Sequence, residues 1–176
     1  GRQTRGYGFC LSLRYDLYPF HRFCSLRCLN LGSALAMENN GMIDKRPLVI
    51  AKCADVADVM TAVNFGRDNG LRIAIRGGGH NGPGFGSVND GLVIDMSAMK
   101  GVRVDPASRT ARVGAGCTQG DVDHATGAFG MATPSGFLST TGVGGLTLGR
   151  GVGYLTRRFG MTVDNLVSAQ VVLADG

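Results

Sequence analysis

Residues 72–86 read RIAIRGGGHNGPGFG, and the change of character within this stretch decides the fold. It opens as a short apolar run, Ile73, Ala74 and Ile75, and breaks into Gly77, Gly78, Gly79, His80, Asn81 and Gly82. A strand that runs into consecutive glycines leaves the backbone able to take positive φ and to turn several amide groups onto one point, which is how chains hold phosphate. Arg76 adds a fixed positive charge at the loop entrance. His80 ends the glycine run with an imidazole able to act as nucleophile, base or ligand. The spacing departs from the familiar phosphate motifs: there is no GxxxxGK[ST], and GGGHNG is not a GxGxxG opening a helix.

Upstream, residues 48–52 read as a strand. Residues 55–69 read as an amphipathic helix, with Val56, Val59, Met60, Val63 and Phe65 near helical spacing and Gly70 at its end. A βαβ unit therefore delivers the chain into the glycine loop. Downstream, residues 91–96 (GLVIDM) read as a buried strand, and residues 102–104 and 110–113 flank the turn Asp105, Pro106, Ala107, Ser108. That is a hairpin signal, and this part is expected to be antiparallel. Residues 118–129 read as a second helix, capped by Thr118 and Asp121, with Val122, Ala125 and Phe129 facing inward. His124 on this helix reads as a surface or packing histidine.

A second glycine-rich stretch, residues 134–149, carries the hydroxyls Ser135, Ser139, Thr140, Thr141 and Thr147 among small residues, with Val143, Leu146 and Leu148 expected to anchor it in the core. Two such loops in one near-neutral body suggest a large dinucleotide held along its length.

Composition narrows the class further. Of 29 glycines, 21 lie between Gly70 and Gly153, a density that without low complexity argues for tight turns and close backbone approach to a ligand. The formal charge of +5 belongs mostly to residues 1–46, with seven Lys or Arg against three acids; residues 47–176 carry eleven against ten. No basic stripe interleaved with aromatics suggests nucleic acid. No segment reaches the roughly 18 to 20 apolar residues that span a bilayer, and no export signal is seen, so a cytoplasmic location is the expectation.

Residues 1–40 show no sustained period and differ in texture from residues 41–176. An extension, an upstream remnant and a mistranslated region are the alternatives, and no function is assigned to them. Cys10, Cys24 and Cys28 with His21 lack a CxxC pair, so reduced thiols rather than a zinc site are expected, as for Cys53 and Cys117.

The segments RGGGHN at 76–81, GLVIDMSAMKGVRVDP at 91–106, GAGCTQGDVDHAT at 114–126, TPSGFLSTTGVGGLTLGRGVGYLTRRFGMTVDNL at 133–166 and the closing VVLADG together resemble the FAD-binding domain of the berberine-bridge-enzyme-like FAD-linked oxidases, within the vanillyl-alcohol-oxidase/PCMH superfamily. The resemblance covers residues 41–176. It implies an α+β, PCMH-type fold, with a small βαβ subdomain, a mainly antiparallel sheet with flanking helices, and FAD between them.

By the same resemblance, Arg76, Gly77, Gly78, Gly79 and Asn81 match the first pyrophosphate-facing loop, and His80 matches the histidine that relatives bond to the flavin 8α-methyl. Ser135, Thr140, Thr141, Gly142 and Gly145 match the second loop, and Val172 a region lining the adenine end. The implied activity is oxidation of an alcohol, sugar or related small molecule by hydride transfer to flavin, with dioxygen or another acceptor taking the electrons; no metal is implied.

Three departures accompany the match. Leu138 stands where relatives with a second covalent link carry cysteine, so at most one linkage, through His80, is expected. Arg150 replaces a glycine, which costs on the order of 1 kcal/mol if its φ is positive. The relatives' C-terminal half, which supplies the substrate pocket and catalytic acid or base, has no counterpart here, so no catalytic residue is assigned. The alternative is a truncated, non-catalytic fragment that binds FAD weakly or not at all.

Overall fold

The structure, a computed structural model, describes residues 40–176 and the backbone of Gly8–Phe9. The expectations for the N-terminal cysteines and His21 lie outside these residues. Strand β1 (Gly8–Phe9) pairs antiparallel with β7 (Val171–Val172).

The core is a three-stranded parallel sheet. Strands β2 (Val49–Lys52), β3 (Ile73–Arg76) and β4 (Leu92–Asp95) stand in the order β2-β4-β3. The run at 91–96 is thus not part of an antiparallel region; it inserts between the two strands of the βαβ unit. Its composition explains the place. A central strand is covered on both faces, and β4 is buried at every position, Leu92 and Ile94 on one side and Val93 on the other. The antiparallel expectation holds for the hairpin of β5 (Val102–Asp105) and β6 (Thr110–Val113), where Val102 faces Val113.

Helix α1 (Val56–Asp68) covers one face of the sheet, and Asp55 caps it by accepting the Asp58 N–H. Val59, Ala62, Val63 and Gly66 form its inward stripe, packed on Ala51, Leu92 and Ile94. Met60, expected inward, is exposed instead, because the buried stripe runs through Val59 and Val63 on either side of it. Ile50, Ala74 and Val93 make a smaller cluster on the opposite face.

Helix α2 (Gln119–Gly127) ends earlier than its expected limit. Phe129 and Met131 both donate to the Thr126 carbonyl as the chain turns through Gly130 at φ 64°. Phe129 is therefore exposed, and the inward residues are Gln119, Val122 and Thr126. The Thr118–Asp121 capping box forms as expected, and His124 is exposed. Within the second glycine stretch, residues 143–148 form helix α3 (Val143–Leu148), with Val143 and Thr147 buried and Leu148 half exposed to solvent instead of anchored. A short helix α4 (Thr156–Phe159) comes next. Among the described residues, no helix is long and apolar enough to cross a membrane and no cluster of His, Cys, Asp or Glu could hold a metal ion.

Candidate functional site

Lys52, Asp95 and Arg76 align across the three parallel strands and mark the carboxyl edge of the sheet. Ligands of open parallel sheets bind beyond this edge, and the first glycine loop leaves β3 there. Gly78 and Gly142 touch backbone to backbone: a Cβ on either would run into the amide nitrogen of the other. Two stretches of chain far apart in sequence become one surface at this crossing. It is reinforced by His80, whose Nε2 lies 2.9 Å from Thr140 Oγ1 and whose Nδ1 lies 3.5 Å from Thr141 Oγ1.

Residues 40–46 brace the loop from outside. The Asn40 amide donates to the Gly82 carbonyl, and the Lys45 ammonium donates to the carbonyls of Gly84 and Ser87 while lying 5.7 Å from the centre of the Phe85 ring. Asn81 is turned onto its own loop, where Oδ1 accepts the Phe85 N–H and the carbonyl accepts the Gly84 N–H.

The floor between the loops is the segment from Ala115 to Gln119. Gly77 and Gly144 both look onto the Ala115 carbonyl, Val143 N–H donates to the Cys117 carbonyl, and Thr118 bridges antiparallel to Gly142. Among the described residues, the amides of Gly78, Gly79, Gly144 and Gly145 donate to no protein acceptor. Gly79 takes φ 70°, and a Cβ on Gly145 would meet nothing within 4 Å. Unspent donors lining two contiguous loops, with room beside them, suit the oxygens of a pyrophosphate, so the residues present fit FAD.

The electrostatics differ from the sequence reading in one respect. Arg76 Nη1 lies 3.8 Å from Oδ2 of Asp95, whose side chain is almost fully buried, so the arginine charge is directed at least partly into the sheet edge. Asp95 also accepts the Ser97 N–H. Asp121, at the start of α2, is held below the ordinary carboxylate range, chiefly by the Thr118 backbone N–H and further by the Thr118 hydroxyl and Lys100.

The sequence-assigned residues thus separate. Gly77, Gly78 and His80 meet Thr140, Thr141 and Gly142; Gly79 continues the first loop at φ 70°, and Gly145 lies in α3 with open space where its Cβ would go. Ser135 is half-buried with its carbonyl against Gly153. Val172 is buried in the core cluster with Val59 and Val63 of α1, and its backbone pairs with Gly8, so its side chain does not join the loops. Sequence reasoning missed Asp95, the Ala115 carbonyl and Lys45. The one available signal was the charged residue closing the apolar run LVID.

A parallel sheet feeding two crossed glycine loops defines a dinucleotide-binding domain. The chain belongs to the FAD binding domain family, whose model matches residues 47–176, within the FAD-linked oxidoreductases that include berberine-bridge-enzyme-like proteins. It is 47% identical over 127 residues to an FAD-linked oxidoreductase of Dictyostelium discoideum, covering 72% of this chain and 27% of the relative. The crystal structure of 6-hydroxy-D-nicotine oxidase from Arthrobacter nicotinovorans superposes with TM-score 0.75 at 34% identity, covering 81% of this chain and 33% of that one. Xylooligosaccharide oxidase from Myceliophthora thermophila C1, in complex with xylobiose, superposes with TM-score 0.73 at 31% identity, covering 80% and 30%. The chain spans under a third of the length of the curated relatives it matches first.

Proposed function

We propose that residues 41–176 are the FAD-binding portion of an oxidoreductase that oxidises an alcohol, sugar or related small molecule and passes the electrons to an acceptor such as dioxygen. The observation that carries this reading is the crossing of Gly78 with Gly142 beside the His80–Thr140 contact, which turns two separate loops into one dinucleotide cradle. The family match across 47–176 does not favour the alternative of a chain that fails to bind FAD.

Bound FAD supplies the hydride acceptor. The amides of Gly78, Gly79, Gly144 and Gly145 hold the pyrophosphate, and Gly77 and Gly142 allow close approach. Asn81 shapes the first loop by its internal hydrogen bonds, and Arg76 fixes the loop to the sheet through Asp95. Ser135 packs its carbonyl against Gly153 beside the second loop, whereas Val172 supports the core under α1 and touches neither loop with its side chain. Thr140 and Thr141 orient the His80 ring, the point of covalent attachment. His80 would hold the flavin by a bond from a ring nitrogen to its 8α-carbon, a linkage whose formation would release two protons and two electrons for dioxygen to take up as hydrogen peroxide. Leu138 offers no thiol for a second bond.

The test is denaturing gel electrophoresis of the purified chain after incubation with FAD, read by in-gel flavin fluorescence beside a His80→Ala variant. A fluorescent parent band that vanishes in the variant is expected. A dark parent band from a protein that is also colourless under native conditions overturns the reading.

A further inference from the structure

Lys45 stands just before the first residue of the family match and reaches the first loop from outside. Its ammonium donates to the Gly84 carbonyl and, at 3.2 Å, to the Ser87 carbonyl, and it lies 5.7 Å from the centre of the Phe85 ring. Among the described residues no carboxylate comes within ion-pair distance of it. The partners of this cation are therefore the backbone oxygens and the aromatic ring of the loop itself. Two residues earlier, Ile43 fills the space beside Gly84, where an added Cβ would run into it.

The segment it grips has little of its own to hold it. Residues 81–86 read NGPGFG, and their one large apolar side chain, Phe85, is 71% exposed. Glycine-rich backbone loses much entropy on ordering, so its shape depends on fixed partners. The hydrogen bonds run from Lys45 toward the reactive ring in an unbroken series. Lys45 holds the Gly84 carbonyl, the Gly84 N–H donates to the Asn81 carbonyl, the Phe85 N–H donates to Asn81 Oδ1, and Asn81 is joined directly to His80. On its other side the His80 ring meets the hydroxyls of Thr140 and Thr141. Bonds from an ammonium are stronger than neutral ones, which makes Lys45 the firmest tie at the outer end of this series.

We propose that Lys45 is a positioning residue for flavin attachment: acting through Gly84 and Asn81, it fixes the backbone that carries His80. This rests on the reading of His80 as the point of attachment, in which a ring nitrogen bonds the flavin 8α-carbon and two protons and two electrons pass to dioxygen. Holding a nucleophile in place raises its rate at a given occupancy of the site. Loss of Lys45 therefore slows attachment with FAD saturating, while the amides read as pyrophosphate donors, which lie before His80 and on the second loop, keep the affinity. A residue that merely supports the fold produces no such split.

The experiment compares the full chain with Lys45→Met, which keeps the length of the side chain and removes its donors, and Lys45→Arg, which keeps donors and charge. Covalent incorporation is timed in air-saturated buffer at saturating FAD by in-gel fluorescence. Affinity is measured separately with FAD lacking its 8-methyl group, which binds without attaching, by quenching of flavin fluorescence. The expected result is attachment about tenfold slower in Lys45→Met, with probe affinity within about twofold of the parent and most of the rate restored in Lys45→Arg. An unchanged rate in Lys45→Met overturns the proposal. Affinity that falls in step with the rate shows general support of the fold and overturns it too, as do Met and Arg variants that are equally slow. A parent chain that binds no probe overturns the FAD-binding reading itself, and one that binds the probe but acquires no covalent flavin removes the attachment and this role with it; both are recognisable before any variant is compared.

Discussion

His80 Nε2 and Thr140 Oγ1 lie 2.9 Å apart although sixty residues separate them in the chain. This contact fixes the imidazole relative to the second loop, and it sits beside the meeting of the Gly78 and Gly142 backbones. Thr140→Val keeps the shape of the side chain and removes its hydroxyl. The ring then loses one orienting hydrogen bond of ordinary strength, about 1 kcal/mol, so covalent flavin incorporation should slow about fivefold while His80→Ala abolishes it. The rate at which fluorescent protein accumulates on denaturing gels checks this; equal rates in parent and Thr140→Val would remove the threonine from the site.

The glycines of the two loops should divide into two kinds when changed to alanine. At Gly78 and Gly142 an added Cβ meets the backbone of the opposite loop, which cannot give way as a flexible side chain can. Gly78→Ala and Gly142→Ala should each destabilise the apoprotein by about 2 kcal/mol or more, in the range of overpacking. Gly145 has open space where its Cβ would go and lies within α3. Gly145→Ala should leave the apoprotein equal or more stable by about 0.5–1 kcal/mol, the helix propensity gain, and should weaken FAD binding. Chemical denaturation of the apoproteins with parallel flavin titration distinguishes the two kinds.

The local parts of this site were legible in the sequence because their causes are local. The strand running into Gly77–Gly79, the cap at Thr118 and the hairpin turn at Asp105 each depend on residues a few positions apart, and each is present. Features that depend on distant partners were not legible. The insertion of β4 between β2 and β3 reflects the covering of both faces of LVI, which a short apolar run announces only as burial. The Arg76 charge read as available to a ligand, but Asp95 on the neighbouring strand stands beside it. Met60 and Phe129 fitted a helical period, yet exposure of each was decided by where the helix sits and ends.

Arg150 adopts φ 79°, the left-handed region that favours glycine. The conformation is held from both sides, since Arg150 N–H donates to the Thr147 carbonyl and the Arg150 carbonyl accepts the Val163 N–H. The side chain is exposed, so its removal sacrifices little packing. Arg150→Gly should therefore stabilise the chain by up to about 1 kcal/mol, the relief of the left-handed penalty less the entropy glycine adds to the unfolded state. An equilibrium denaturation midpoint that falls would show that the arginine side chain contributes more than its backbone costs.

The start of α2 should carry a measurable acid dependence. Asp121 accepts the Thr118 N–H at 2.8 Å and the Thr118 hydroxyl at 3.0 Å, and Lys100 lies 3.2 Å away. These hold its folded-state pKa below the ordinary value of 3.8, the Thr118 backbone bond being the largest cause. A carboxylate with a depressed folded pKa stabilises the fold above its unfolded pKa and loses that contribution as pH falls through the folded one. Stability owed to Asp121 should thus be constant above about pH 5 and decline below the ordinary value. Asp121→Asn should be the less stable protein near neutrality, and the gap to the parent should close as the solution is acidified below about pH 4. Thr118→Ala removes the hydroxyl half of the cap and should cost about 1 kcal/mol near neutrality, while keeping the backbone bond that dominates the shift and hence most of the acid dependence. Denaturant titrations of the three proteins across this range check both expectations; a gap between parent and Asp121→Asn that stays constant to the acid limit would mean the carboxylate is not held by the cap.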